Sequence, residues 1–145
     1  MTLSVLTLDL KDDPALIDAY RAHHSAVWPE VLRSLRRVGV RAMDIYALGR
    51  RLVMLMETRK GFDAKRDFAR HRASDPRCAA WEDLMKTFQE PPPGAAAGEL
   101  WTPLQPIFSL RAQLAALEPK RSRPTRRRRG VSPRGRTRGR RKSRR

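Results

Sequence analysis

The chain has 145 residues, 32 Lys+Arg against 15 Asp+Glu, and a formal charge of +17. At roughly 100–200 residues per domain, that length allows one domain and little beyond it. No apolar run reaches the roughly eighteen residues of a membrane span, and the lone Cys78 excludes an intramolecular disulfide and a thiolate metal cluster. The charge is unevenly placed: Met1–Leu110 holds 16 basic and 14 acidic residues, whereas the stretch from Arg111 onward holds 16 basic residues and only Glu118 as an acid. The chain is therefore read as a nearly neutral body, 1–110, and a basic tail, 111–145. The apolar start Thr2–Leu10 is short, lacks a basic leader and runs into Lys11, Asp12 and Asp13, unlike a secretory peptide. A soluble, cytoplasmic protein is expected.

In chain order, Leu6, Leu8 and Leu10 alternate with Thr7 and Asp9, the period of a strand with one buried face. Asp13-Pro14 reads as a helix start, Asp13 capping free amides and Pro14 occupying the first helical position. That helix runs through Leu16, Ile17, Tyr20 and His24 and is expected to break near Trp28, because Pro29 disfavours helical geometry before it. A second helix follows from Pro29, with Val31, Leu32, Leu35 and Val38 inward and Gly39 as its C-cap.

Val40–Leu48 and Leu52–Thr58, separated by Gly49-Arg50-Arg51, have hairpin spacing. Phe62–Arg72 looks helical, anchored by Phe62 and Phe68. Ser74-Asp75-Pro76 opens a further helix bearing Trp81, Leu84, Met85 and Phe88 as an apolar stripe. Glu90-Pro91-Pro92-Pro93-Gly94 stops it, and a last strand is expected around Trp101–Leu110, at an edge because of Pro103 and Pro106. The order β-α-β-β-α-β predicts an α+β, ferredoxin-like antiparallel sheet with helices on one face. The chain itself supplies nothing for the other face, and closure of two sheets into a dimeric α/β barrel is the simplest cover.

Tyr20 and His24 stand at i and i+4 on one helix face, four residues before Trp28-Pro29. Chemically this combines a flat apolar wall, a hydroxyl donor and a group titrating near neutrality; Trp81 could add a second wall. From spacing alone the plainer reading makes Tyr20 and Trp28 core residues and His24 a satisfied, half-buried histidine. Spacing also does not say whether His23 or His24 faces the sheet. Asp12-Asp13 suits a cap better than a cation, Glu82-Asp83 reads as a solvated face, and Met54 and Met56 read as core. Met43 and Ile45 share one strand face, Asp44 and Tyr46 the other, and a carboxylate on the interior face would be costly unless hydrogen-bonded. His23, His24 and His71 are too scattered for a metal site. Neither a phosphate loop nor a nucleophile elbow nor zinc-ligand spacing is present.

The body closely resembles the L-rhamnose mutarotase family, most of all its L-fucose mutarotase-like branch. The matching stretches are Leu8–Pro14, Tyr20–Val31, Met43-Asp44-Ile45-Tyr46, Met54-Leu55-Met56-Glu57, Trp81–Met85, and Trp101 with Ile107–Leu110. Together they cover about residues 3–110, and Tyr-x-x-x-His-x-x-x-Trp-Pro is their most specific part. The resemblance implies a small dimeric α+β barrel, without cofactor, that interconverts the α and β anomers of a deoxysugar. It implies that His24 takes the place of the catalytic proton donor and Tyr20 that of a substrate contact, with Trp81 at the first of two adjacent substrate-contacting tryptophans. The second of these is Glu82 here, and a contacting tyrosine on the second strand is Met43. Both departures lie within the implied sugar pocket. They agree with the fucose-like branch, in which methionine and glutamate at those places look usual, and they favour L-fucose over L-rhamnose.

The residues suit that chemistry. Mutarotation delivers a proton to the ring oxygen and removes one from the anomeric hydroxyl; the opened aldehyde turns about its C–C bond and recloses on the other face. One acid–base pair contributes roughly 10²–10⁴-fold, which can suffice without metal or cofactor. His24 would be the acid/base, with Tyr20, Glu82 or Asp44 as its complement and Trp81 or Trp28 stacking on the sugar. Fold alone does not choose among functions: dimeric barrels of this kind also serve as cofactor-free oxygenases and as non-catalytic binding modules.

Arg111–Leu117 is read as a possible short helix. From Glu118 on, Arg, Lys, Pro, Gly and Ser dominate, a composition expected to stay disordered. The run Arg126–Arg129 could hold nucleic-acid phosphates, non-specifically because the tail has no aromatics to stack on bases. An extension of this composition is also what read-through or a frameshift in GC-rich DNA would produce.

Overall fold

The computed structural model describes residues 1–120 and residue 135. Its contacts divide the chain into two units, Met1–Ile107 and Phe108–Arg145.

In the first unit, strand β1 (Thr2–Leu10) leads to helix α1 (Pro14–His24). The Ala15 N–H donates to Asp13 Oδ1 at 2.9 Å, and Pro14 takes the first helical position, as expected. The break after α1 comes earlier than Trp28. Ser25 turns its hydroxyl onto the Ala22 carbonyl at 2.6 Å and closes the helix at His24. Trp28 is extended at ψ 134, as a residue before proline should be. Helix α2 (Pro29–Val38) then runs to Gly39, whose φ of +116 is left-handed. A Cβ at Gly39 would lie 2.6–2.7 Å from the Arg59 side chain, so the position demands glycine for space as well as for conformation.

Strands β2 (Val40–Leu48) and β3 (Arg51–Thr58) form the expected hairpin, with Leu48 opposite Arg51. Helix α3 (Ala64–Ser74) starts two residues later than its apolar pattern suggests, because Asp63 caps it by accepting from Arg66 N–H at 2.7 Å. Asp67 in its first turn is fully enclosed. It accepts from the Asp63 N–H at 2.9 Å and pairs with Arg66, Arg59 and Arg70 at 2.8, 3.2 and 3.3 Å. The Arg66 hydrogen bonds, then the backbone bond and the Arg59 charge, hold its carboxyl far below the usual carboxylate range. Helix α4 (Pro76–Lys86) repeats the α1 start, with Arg77 N–H donating to Asp75 Oδ1 at 2.7 Å. Phe88 is buried but lies just past the helix end.

The C-terminal strand is where structure and expectation part most. Trp101–Leu110 contributes only β5 (Thr102–Pro103), and a second short strand, β4 (Gln89–Glu90), also pairs with β1. Pro103 and Pro106 lack the N–H groups a longer ladder needs. The sheet order is β2-β3-β1-β4, with β5 also on β1, and every pairing is antiparallel. The fold is α+β.

Register assigns the faces. Leu6, Leu8, Leu52, Met54, Met56, Met43 and Ile45 share one face, and the buried core packs there with Tyr20, Val31, Trp81, Met85 and Phe88. Fully burying such an apolar side chain is worth about 1.5–3 kcal/mol. The opposite face carries Leu3, Tyr46 and Leu48, all exposed, beside half-buried Val5, Val53 and Leu55.

The second unit opens with helix α5 (Leu110–Leu117), capped by Ser109, whose Oγ accepts from Ala112 N–H at 3.2 Å. Within the 111–145 tail, the short helix read over Arg111–Leu117 is present and begins one residue earlier: good helix formers behind a serine cap make Leu110–Leu117 helical. The Arg126–Arg129 run, with the nucleic-acid binding expected of it, lies outside the described residues. No helix among the described residues is long and apolar enough to cross a membrane.

Candidate active site

Between the helices and the inner sheet face lies a cavity of about 430 Å³. Its walls are mainly apolar: Leu6, Met43, Ile45, Met54 and Met56 from the sheet, Val31, Leu35 and Phe68 from helices, and Trp101. The polar groups are few: Tyr20, His24, His71, Glu82, Lys86 and Gln89. An apolar cavity with a handful of converging polar groups is the usual form of a small-molecule site.

The five residues carried over from the family resemblance, Tyr20, His24, Met43, Trp81 and Glu82, line this one cavity. The Tyr20 and His24 rings lie 4.3 Å apart by centroid, the i, i+4 neighbours their spacing predicts. Trp81 stands edge-on to His24 at 5.5 Å. Trp28 is not in the wall; it backs Trp81 at 5.2 Å and carries the Arg77 guanidinium 4.1 Å over its own ring. Asp44 is exposed on the opposite sheet face from Met43 and Ile45 and does not reach the cavity. His24, not His23, faces inward.

The local electrostatics follow from these positions. His24 Nδ1 lies 3.0 Å from the Tyr20 carbonyl oxygen, which can only accept, so Nδ1 carries the proton and Nε2 is the basic nitrogen. Burial pushes the His24 imidazole below its ordinary value near 6.5, against the opposing effect of that hydrogen bond, and the His23 charge adds to the depression. At neutral pH His24 is a neutral base. Burial raises the Tyr20 phenol, with a hydrogen bond from the Gln89 side chain working the other way, so Tyr20 stays an O–H donor. Glu82 Oε2 accepts from Arg72 Nη1 at 2.9 Å, and the same nitrogen reaches Asp83 Oδ1 at 2.9 Å. Arg72 thereby fixes the carboxylate at the cavity wall. Among the described residues no three His, Cys, Asp or Glu side chains are grouped to hold a metal ion.

Sequence reasoning missed His71 and Gln89. His71 reads as one polar residue on a basic helix, yet it is buried and in the wall. Gln89 lies beyond the end of α4 and enters the site only through the short β4 pairing with Leu10.

Comparison with known proteins gives the family. Residues 4–110 match the family model for L-rhamnose mutarotase. A protein of Xanthomonas campestris pv. campestris named L-fucose mutarotase is 48% identical over 105 residues, 71% of this chain and 83% of that protein. A UPF0734 protein of Dictyostelium discoideum is 37% identical over 106 residues, 71% of this chain and 85% of its own. Among solved structures, the L-rhamnose mutarotase FA22100 of Formosa agariphila superposes with a TM-score of 0.55 at 18% identity, covering 76% of this chain and 99% of that one. That likeness is one of fold.

Proposed function

This chain belongs to the L-rhamnose mutarotase family, and from that premise we propose that it interconverts the α and β anomers of L-fucose in preference to L-rhamnose. The observation that carries the reading is the convergence of Tyr20, His24, Met43, Trp81 and Glu82 on one cavity. Met43 and Glu82 are the two positions at which the rhamnose pattern is not kept, and the fucose-named relative is 48% identical. Both support fucose.

The proposed chemistry uses this chain's own groups. Neutral His24 takes the anomeric hydroxyl proton at Nε2. The O–H electron pair forms the carbonyl, the C1–O5 bond breaks, and its electron pair leaves with O5. The Tyr20 hydroxyl donates a proton to O5, and the His24 imidazolium restores the phenol. Rotation about C1–C2 presents the other carbonyl face, and the same steps in reverse close the ring. His24 is thus base in one half and acid in the other. The indole of Trp81 covers the C–H face of the sugar, and Glu82 accepts from a hydroxyl. The apolar walls exclude bulk water and strengthen each of these polar contacts.

We also assign a homodimer, joined through the outer sheet face on which Leu3, Tyr46 and Leu48 lie exposed. Sedimentation velocity of the parent and of Tyr46→Lys/Leu48→Lys tests it, a monomeric parent being contrary.

Saturation transfer between the anomeric protons of L-fucose, with L-rhamnose in parallel, tests the activity. Faster exchange of fucose is expected. Equal rates with and without protein, for both sugars, would overturn the reading.

A further inference from the structure

His71 reaches the cavity by a different route from His24. It sits in the last turn of α3, is 3% exposed, and lines the same wall. Its Nδ1 lies 2.8 Å from Ser34 Oγ, which lies 2.7 Å from Ser74 Oγ, which in turn donates to the carbonyl oxygen of His71 itself at 2.7 Å. Each hydroxyl has one proton, and a carbonyl only accepts. Ser74 therefore spends its proton on the His71 carbonyl, Ser34 donates to Ser74, and the Ser34 lone pair receives the Nδ1–H. The 3.5 Å approach of Ser34 Oγ to the same carbonyl, and the 3.8 Å approach of Ser74 Oγ to Cys78 Sγ, are too long to compete.

The loop of hydrogen bonds leaves Nε2 without a proton. That nitrogen has no protein partner among the described residues. Since no side-chain nitrogen or oxygen there is both enclosed and unpartnered, Nε2 is not fully enclosed, and His71 lines the cavity. Burial, opposed by the nearby Glu82 charge, lowers the His71 imidazole from its ordinary value and keeps it neutral. The result is an acceptor of fixed direction in a wall that is otherwise largely methionine, leucine and aromatic.

We propose that His71 Nε2 accepts a hydrogen bond from a non-anomeric ring hydroxyl of the bound sugar, and that Ser34 and Ser74 are positioning residues that hold this acceptor in place. The proposal rests on the sugar-mutarotase reading and adds a residue that recognises substrate on the α3 side of the site. An acceptor built into a dry wall discriminates strongly, because a sugar lacking the matching hydroxyl leaves it unpaired.

Two measurements on the full chain test it. In the free protein, two-bond ¹H–¹⁵N correlation of the His71 ring at pH 7.5 is expected to show the proton on Nδ1, and Ser34→Ala is expected to let the tautomers mix. A proton on Nε2 overturns the proposal and leaves the mutarotase reading standing. The second measurement compares anomer exchange of L-fucose with that of its 2-, 3- and 4-deoxy analogues. The parent is expected to disfavour one analogue by about 10-fold or more in kcat/KM, through KM more than kcat, and His71→Phe to erase that preference.

A merely structural His71 would lower all four rates together and keep their ratios, which overturns the proposal. Should His71→Phe fail to fold, Ser34→Ala must shrink the same ratio and Ser34→Thr, which keeps the hydroxyl, must restore it. A parent that exchanges no fucose anomers removes both readings, and the tautomer measurement then says separately whether His71 is arranged as described.

Discussion

Helices α1 and α3 deliver their polar groups to the cavity by opposite means. On α1, Tyr20 and His24 come from adjacent turns of one helix, and the His24 ring is fixed by the Tyr20 backbone carbonyl at 3.0 Å. The hydrogen bond that orients this imidazole lies within five consecutive residues. On α3, His71 is fixed by Ser34, which belongs to α2 and stands 37 positions away, and by Ser74. One histidine is oriented by the helix that carries it, the other by tertiary packing. The difference teaches what each can tolerate: the local arrangement survives as long as α1 is helical, whereas the distant one depends on α2 and α3 keeping their mutual position.

The largest expected effect strikes the local arrangement. His24→Ala should lower the rate of fucose anomer exchange by roughly 10²–10⁴-fold, with little change in unfolding free energy because the ring is only half-buried. Exchange NMR and urea unfolding on the same samples check both halves. A variant as fast as the parent would remove His24 from the chemistry.

Next in size is Trp81 of α4, which stands edge-on to Trp28 at 5.2 Å and to His24 at 5.5 Å. Trp81→Ala is expected to cost about 3–5 kcal/mol of stability, the range for removing a buried large aromatic, and to weaken both sides of the site together. Trp81→Phe separates packing from stacking: most of the stability should return while KM for fucose stays raised. Full recovery of KM with Phe would show that any ring of similar width serves.

Titration compares the two histidines directly. Burial lowers both imidazoles in the folded chain, His24 beside Tyr20, His23 and Trp81, and His71 beside Ser34 and Glu82. The unfolded chain takes up those protons near 6.5, the folded chain only below it. Between the two values the unfolded state binds more protons, so stability falls as the pH drops below about 6.5 and gains nothing from these groups above it. Asp67 and Asp83 act in a separate, lower window, because their folded carboxyls are depressed and their stabilisation is lost only in stronger acid. Urea midpoints at pH 7.5 and 5.5 should differ in the parent and differ less in His24→Gln, with the catalytic rate falling over the same range. Identical midpoints at both pH values would mean that neither ring is held neutral.

The same contrast explains how much of the site could be read from sequence. Helix period sets Tyr20 beside His24 and strand period sets Met43 beside Ile45, while the family resemblance is what marks Met43, Trp81 and Glu82 as site residues; all of them stand in the cavity wall. Asp44 and Met43 were separable onto two faces by alternation, but only the pairing of Ile45 with Met54 says which face is inward. His71 has no local signature, since the serines that orient it are partners only once α2 and α3 pack. The C-terminal strand failed for a different reason. Its apolar residues suggest a ladder, while Pro103 and Pro106 take away donors and leave two residues paired with β1.

The smallest expected effect concerns the starts of α1 and α4, which are built alike. Both α1 and α4 begin with an aspartate followed by proline, and each aspartate accepts from the N–H two residues on, at 2.9 Å for Asp13 and 2.7 Å for Asp75. Loss of such a cap costs about 1 kcal/mol, so Asp13→Ala and Asp75→Ala should be equally destabilising in urea. Their effects on exchange should not be equal. Fraying of α1 at Pro14 lies at the far end of the helix from Tyr20 and His24, whose orientation is kept by the last turn. Fraying at Asp75 adjoins Ser74, the member of the His71 loop that donates to its carbonyl. Asp75→Ala is therefore expected to raise KM about as much as Ser34→Ala does, and Asp13→Ala to leave it unchanged. Equal KM values for the two cap variants would mean that the α3 histidine is held by more than its serines.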